Sequence, residues 1–262
     1  MYVIGLAALR AKPSARVSQA IAAGALAVTL VVVGASSTRA GAAGGNGGTP
    51  VGAREVVGCT SGSGPAVAAG PRSRRAVALT FDDGPSTAYT PAILAILERL
   101  HASATFFEEG KHVTGREALM RRILASGDEI GNHSFNHPRD PGFDQLAATN
   151  RLIRGATGFT PCLFRPPYGL VDPKVESAVR RNDLQTVLWS VDSNDDKHPG
   201  AGAIRTRVLS LAQPGSIVLM HDGGHHPQTV TALPAIVRGL HARGLSLVTV
   251  TQLLGGRFVY RG

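Results

Sequence analysis

A parallel β/α barrel of seven units, distorted by being one unit short of the usual eight, is the fold this sequence predicts. Three observations predict it. Short apolar runs alternate with helical patterns from Ala76 onward; the first run is apolar on both faces, as strands of parallel sheets are; and the polar residues of interest stand where the runs stop. A single domain over residues 76–255 follows from them.

Each element has its own signal. Ala76-Val77-Ala78-Leu79-Thr80-Phe81 runs into Asp82 and Asp83 and is stopped by Gly84-Pro85. Both carboxylates therefore sit at the C-terminal end of a strand, the end that faces the active site in β/α folds. Residues 90–100 carry Ile93, Leu94, Ile96, Leu97 and Leu100 at helical spacing, and 104–107 form the second strand. A helix over 116–125, a strand over 128–133, a helix over 143–156 and a brief strand over 163–165, stopped by Pro166-Pro167, come next. Pro173 opens a helix to residue 182 at a turn where its missing N–H does no harm. Residues 185–191 are the fifth strand, 203–211 a helix, 216–221 the sixth strand, 229–243 a helix despite Pro234, and 245–250 the seventh strand.

Ahead of the domain, Arg10, Lys12 and Arg16 precede an apolar run from about Ala20 to Gly34, followed by Ala40-Gly41-Ala42. That is the three-part layout of a secretory signal peptide over 1–42, and the run is short for a bilayer-spanning anchor, which needs ~20 residues. Residues 43–75 are rich in Gly, Ala, Ser and Pro without apolar periodicity, and read as a flexible linker. The expected location is secreted or cell-wall associated, with no membrane contact beyond the signal peptide. Cys59 and Cys162 are then free to oxidise, and pairing or two thiols both remain open.

The net charge is +9; without the four basic residues of the leader, 23 basic residues against 18 acidic ones leave +5. These cations are scattered rather than clustered with aromatics, which excludes a nucleic-acid interface and leaves a mildly basic surface suited to an anionic polymer. The chain is expected to act as a monomer.

Chemistry gathers at strand ends. His133 and His137, four apart, can face one way on a helical turn and bind a metal if a third ligand converges; Asp83 is that carboxylate. Bound zinc would lower the pKa of its water from ~15.7 to roughly 7. Asp82 is then the candidate base, and His221, closing Ser216-Ile217-Val218-Leu219-Met220, the candidate acid.

Thr80-Phe81-Asp82-Asp83-Gly84, His133-Ser134-Phe135-Asn136-His137, Arg165-Pro166-Pro167-Tyr168-Gly169, Asp192-Ser193-Asn194-Asp195 and Leu219-Met220-His221 together resemble the five ordered motifs of the polysaccharide deacetylase family, the NodB-homology domain of carbohydrate esterase family 4. The resemblance covers about Ala76 to Leu254. It implies a divalent metal, Zn2+ first and Co2+ second, on Asp83, His133 and His137, with Asp82 as base. It implies that Arg165 orients Asp82, that the Tyr168 N–H stabilises the oxyanion, and that Leu219 meets the acetyl methyl beside Pro166 and Tyr168. Asp192 is expected to buttress either Arg165 or His221. The fourth motif departs from the family, where Trp is common and this chain has Asp196; Trp189 is read as structural, and His225 and His226, in a Gly-rich loop, either touch substrate or, the favoured reading, are exposed.

The expected activity is removal of N-acetyl groups from a peptidoglycan or chitin-like polysaccharide, releasing acetate. Alternatives are acetylxylan esterase action, a non-catalytic carbohydrate-binding protein, and a non-haem iron oxygenase, which also uses two His and one carboxylate.

Overall fold

A computed structural model describes residues 58–59 and 64–260. The expected signal peptide and most of the expected linker lie outside the described residues.

In chain order, β1 (Gly58–Cys59) precedes β2 (Ala76–Gly84), whose residues are buried except for Asp83. The helix α1 (Thr90–Arg99) starts with Pro91 in its first turn and buries Ile93, Leu94, Ile96 and Leu97. β3 (Ala104–Glu108) is wholly buried, and a short α2 (Gly110–Val113), not expected from the sequence, precedes α3 (Glu117–Ala125). β4 (Glu129–Asn132) leads into α4 (Phe143–Thr157), which ends on Gly158 in the left-handed region at φ 75°. β5 (Leu163–Phe164) and a 3-10 turn (Pro167–Gly169) lead to α5 (Pro173–Arg181), capped by the Asp172 carboxylate, which accepts from Val175 N at 2.8 Å.

β6 (Gln185–Thr186) and β7 (Val191–Asp192) divide the expected fifth strand in two. A second 3-10 turn (Asp195–Lys197), α6 (Ala201–Leu211), β8 (Ile217–His221) and α7 (Pro227–Ala242) follow. The expected seventh strand is cut to β9 (Ser246–Leu247), because the Thr249–Gln252 capping box starts α8 (Val250–Leu253). β10 (Phe258–Val259) pairs antiparallel with β1.

All pairings in the main sheet are parallel, in the order β6-β5-β4-β3-β2-β8-β7, with β9 also on β2. Its two end strands, β6 and β7, are joined by residues 187–190 alone, so one short segment ties the curled sheet end to end. This is the distorted seven-unit barrel expected from the sequence.

Part of the expected linker is not loose. Val67 N donates to Thr186 O (3.0 Å), Leu188 N to Val67 O (2.7 Å) and Gly70 N to Gly215 O (2.8 Å), so residues 67–70 occupy the seam where β6 gives way to β7. Backbone pairing of this kind needs no particular side chain, which is why composition did not show it. Cys162 is disulfide-bonded.

The pleat of β2 sorts its side chains. Val77, Leu79 and Phe81 pack with Ile93, Leu97, Phe106 and Ile236 under the helices, Phe81 and Phe106 stacking at 5.1 Å. Ala76 and Ala78 pack with Phe107, Leu163 and Ile217 instead. Residues two apart share a face, so Thr80 and Asp82 continue the interior row toward the C-terminal rim.

Candidate active site

At the end of β2 the ladder breaks. The β2–β3 register shifts between Asp82 and Gly84, and Asp83, with φ 72°, is the extra residue of the bulge. The bulge turns its carboxylate away from that of Asp82. Glycine is required next: a Cβ on Gly84 would lie 2.6 Å from Glu108 Oε2 and 2.7 Å from Asp222 Oδ1. Those two acids are fully buried, and burial together with the surrounding carboxylates pushes both pKa values up, Asp222 to about 7 against the hydrogen bond from Thr90.

His133 follows β4 directly. The expected helical turn between the two histidines does not form: Ser134 and His137 both take positive φ, 65° and 61°. Asn132 Oδ1 accepts from Ser134 N at 2.8 Å and Ser134 Oγ from His137 N at 3.1 Å, so side chains close the loop and swing His137 back beside His133, ring centroids 4.9 Å apart.

His133 Nδ1 donates to Arg165 O at 2.7 Å, which turns Nε2 toward Asp83 Oδ1 at 3.3 Å, while His137 Nε2 lies 3.5 Å from the same oxygen. The three ligand atoms lie within 4.8 Å of one another, and among the described residues Asp83 Oδ1 is buried without a hydrogen-bond partner. Two imidazole nitrogens and an orphaned carboxylate oxygen fit a divalent cation. Electrostatics agree. Burial works against charge on Asp83, yet the imidazoles of His133, His221 and His137 hold its pKa below the usual carboxylate range. Burial likewise opposes a charge on His133, but Asp82 and Asp83 outweigh it and push that pKa up. Positive charge is thus drawn to the gap between these groups.

Asp82, 3% exposed, is held from behind. Arg165, fully buried, donates from Nη1 to Asp82 Oδ1 (2.8 Å) and Thr80 Oγ1 (2.7 Å), from Nε to Val187 O (3.3 Å) and from Nη2 to Leu188 O (3.2 Å), with its guanidinium 4.2 Å from the Phe107 ring centroid. Arg165 lies one residue past β5, so its carbonyl orients His133 while its side chain anchors Asp82.

On the other side of the cleft stands His221, the last residue of β8, opposite Asp82 in the β2–β8 register. Its partner is Asp195. The Asp195 carboxylate accepts from His221 Nδ1 (2.8 Å) and N (2.9 Å), from Thr229 Oγ1 (2.6 Å) and from Ser193 Oγ (3.0 Å). Burial opposes its ionisation, but the bonds from His221 and Thr229 hold its pKa below the ordinary value. For His221, burial opposes protonation while Asp195, then Asp82 and Asp83, raise the pKa to about 9.

Asp192, expected to buttress Arg165 or His221, does neither. Its carboxylate accepts from Asn194 N at 2.7 Å and lines the cleft. The reason is local: Asn194 turns left-handed at φ 56° and the 3-10 turn after it aims Asp195, not Asp192, at His221.

The cleft between the two sides has a volume of about 360 Å³ and brings together every expected site residue except Arg165, which lies behind its wall. Tyr168 is 57% exposed with φ 59°, its ring 4.6 Å from that of His137; Pro166 and Leu219 are buried beneath the surface. Two residues differ from expectation. Trp189, expected to be structural, lines the cleft, and a Cβ on Gly169 would meet its Cη2 at 2.7 Å. His226, expected to be exposed, is half-buried, its ring 5.2 Å from that of His221. Asp195 shares the Asp192-Ser193-Asn194-Asp195 motif with Asp192, and no periodic signal in the sequence distinguishes the two. His225 is exposed, as expected, and its Nδ1 meets Tyr89 Oη at 2.7 Å.

Residues 69–187 match the polysaccharide deacetylase family. The chain is 39% identical over 192 residues to a peptidoglycan-N-acetylglucosamine deacetylase of Bacillus cereus, covering 70% of this chain and 90% of the relative. It is 37% identical over 194 residues to a chitooligosaccharide deacetylase of Sinorhizobium fredii, covering 67% and 90%. Against the peptidoglycan-N-acetylglucosamine deacetylase PgdA of Listeria monocytogenes it is 36% identical over 190 residues, 70% of this chain, but spans only 40% of that longer protein. Among solved structures, the Bc1960 peptidoglycan N-acetylglucosamine deacetylase superposes with a TM-score of 0.70 at 31% identity, covering 75% of this chain and 95% of that one. BA3943 of Bacillus anthracis, described as a carbohydrate esterase family 4 pseudoenzyme, reaches 0.68 at 33% identity, covering 72% and 68%. The five motifs, the curled parallel sheet and these likenesses agree: the chain belongs to the polysaccharide deacetylase family.

Proposed function

We propose that this chain is an exported, metal-dependent hydrolase that removes N-acetyl groups from N-acetylglucosamine units of a polysaccharide, peptidoglycan or chitin-like, and releases acetate. One observation carries the proposal: Asp82 on its buried arginine and His221 on its buried aspartate face each other across a cleft that also holds the Asp83–His133–His137 set.

A divalent cation, zinc first and cobalt second, held by Asp83, His133 and His137 would supply Lewis acidity and lower the pKa of water from ~15.7 to roughly 7. Asp82 keeps one oxygen on Arg165 and uses the other to take a proton from the attacking water. The backbone N–H of Tyr168 donates to the oxygen that gains charge as the carbonyl carbon becomes tetrahedral. The C–N bond then breaks, and His221, protonated because its pKa lies at about 9, gives its proton to the departing amine. Pro166 and Leu219 offer the acetyl methyl an apolar seat. The test measures acetate released from N-acetylglucosamine oligomers and from acetylated xylan, with metal content, for the wild type and Asp82→Ala. We expect release from the oligomers, and a variant that keeps its metal while losing about 100-fold or more in turnover. Release from xylan alone would favour the esterase instead. Glycan binding without any acetate would make the chain a binding protein, as its likeness to a pseudoenzyme allows.

A further inference from the structure

We propose that His226 is a positioning residue for this reaction: its ring packs against the face of His221 and, backed by His198, fixes the plane in which the acid is presented. The inference rests on the reading of His221 as the proton donor.

Three imidazoles from three segments form one stack. His221 ends β8, His226 is the residue before α7, and His198 follows the 3-10 turn that carries Asp195. The His221 and His226 centroids are 5.2 Å apart with planes 25° from parallel; those of His226 and His198 are 5.4 Å apart at 17°. Both separations lie in the range for stacked rings. His198 reaches its place with φ 51°, a backbone region few non-glycine residues adopt, so the turn is held there by its surroundings.

The stack supplies what Asp195 does not. One hydrogen bond at Nδ1 fixes an edge of the His221 ring but leaves it free to rock about that contact, and a flat face against it removes that freedom. His226 in turn is held between the ring faces of His221 and His198, and among the described residues its buried Nδ1 has no hydrogen-bond partner. Burial holds its pKa below the ordinary value, with the neighbouring His221 and His198 acting the same way and Asp195 opposing.

The segment that carries His226 is itself tied to the acid's partner. Thr229, in the first turn of α7, donates its hydroxyl to Asp195 Oδ2 at 2.6 Å, its N–H reaches His226 O at 3.2 Å, and Gly200 N donates to Gln228 Oε1 at 2.7 Å. One carboxylate thus locates both the acid and the helix start that stacks on it.

The test compares His226→Leu, which fills the space without a π face, with His226→Phe, which restores one, and adds His226→Ala. Steady-state acetate release from N-acetylglucosamine oligomers gives kcat and KM, and the imidazole Hε1 resonance of His221 reports the ring above it. Leu and Ala are expected to lower kcat about tenfold with KM changed less than about twofold, Phe to recover most of the loss, and the resonance to move downfield in Leu and Ala but not in Phe. Equal kcat for Leu and Phe, a change confined to KM, or an unmoved resonance would overturn the proposal. A wild type that released no acetate from any substrate would instead sink the deacetylase reading, and the resonance would still decide whether the rings stack.

Discussion

On one side of the cleft the chemistry leaves the sheet directly: Asp82 and Asp83 end β2, His133 follows β4, and Arg165 follows β5. On the other side His221 and Asp192 come from strands, but Asp195, His198 and His226, which surround His221, stand on turns and at a helix start. On the first side Asp82, Asp83, His133 and Arg165 take their places from parallel ladders that hydrogen bonds have already fixed, and His137 alone depends on the side chains of Asn132 and Ser134. The second is held by one side chain, Asp195, which gathers His221, Thr229 and Ser193. A ladder tolerates the loss of a side chain; a hub does not.

The largest effect expected of this contrast is on metal retention. Asp83→Ala removes a ligand without touching the ladder, so the fold should persist while divalent-cation affinity falls by more than the ten- to hundredfold that changes outside the ligand set cost. Titration with zinc and cobalt alongside circular dichroism checks it, and undiminished affinity would move the metal centre elsewhere. Asp195→Asn should come next. With the hub neutral, the pKa of His221 falls from about 9 toward the usual ~6.5, and because the acid works protonated, the alkaline limb of kcat/KM shifts to lower pH. At pH 8 the loss should be roughly ten- to hundredfold.

The same group makes a statement about stability. A histidine whose pKa is raised by folding stabilises the fold fully below its unfolded value of ~6.5, and the contribution is lost as pH rises through about 9. Urea midpoints at pH 6 and pH 9 should therefore differ in the wild type and converge in Asp195→Asn. An alkaline limb that stayed in place would separate Asp195 from the acid.

The smallest effect belongs to Gly169. At φ 68° and with Trp189 Cη2 2.7 Å from the place of a Cβ, Gly169→Ala should cost about 1 kcal/mol and push the indole into the cleft. KM should rise more than kcat falls; unchanged kinetics would take Trp189 out of substrate contact.

The same contrast governs what could be read without coordinates. β2 was legible because a strand buried on both faces must be apolar almost throughout, and Asp82 and Asp83 because glycine and proline stop that strand. His133 and His137 were found as a pair, although the turn that joins them is not helical. Asp195 was missed in favour of Asp192: three residues apart in one polar run, they differ in direction only through the left-handed turn at Asn194. The split between β6 and β7 is not legible in sequence because Val187 and Leu188 are as apolar as strand residues should be: Val187 N still donates to Phe164 O on β5, and only Leu188 N turns to Val67 O in the seam.

What the chain alone determined was the barrel, the order of its strands' chemistry and the three residues, Asp83, His133 and His137, whose ligand atoms converge, since burial imposes apolar runs and strand ends must be marked by residues that stop them. Tertiary structure alone decided which carboxylate holds His221, which imidazole lies on it and that Trp189 lines the cleft. Those choices depend on backbone dihedrals at single turn residues and on contacts between segments far apart in sequence, and neither leaves a periodic trace.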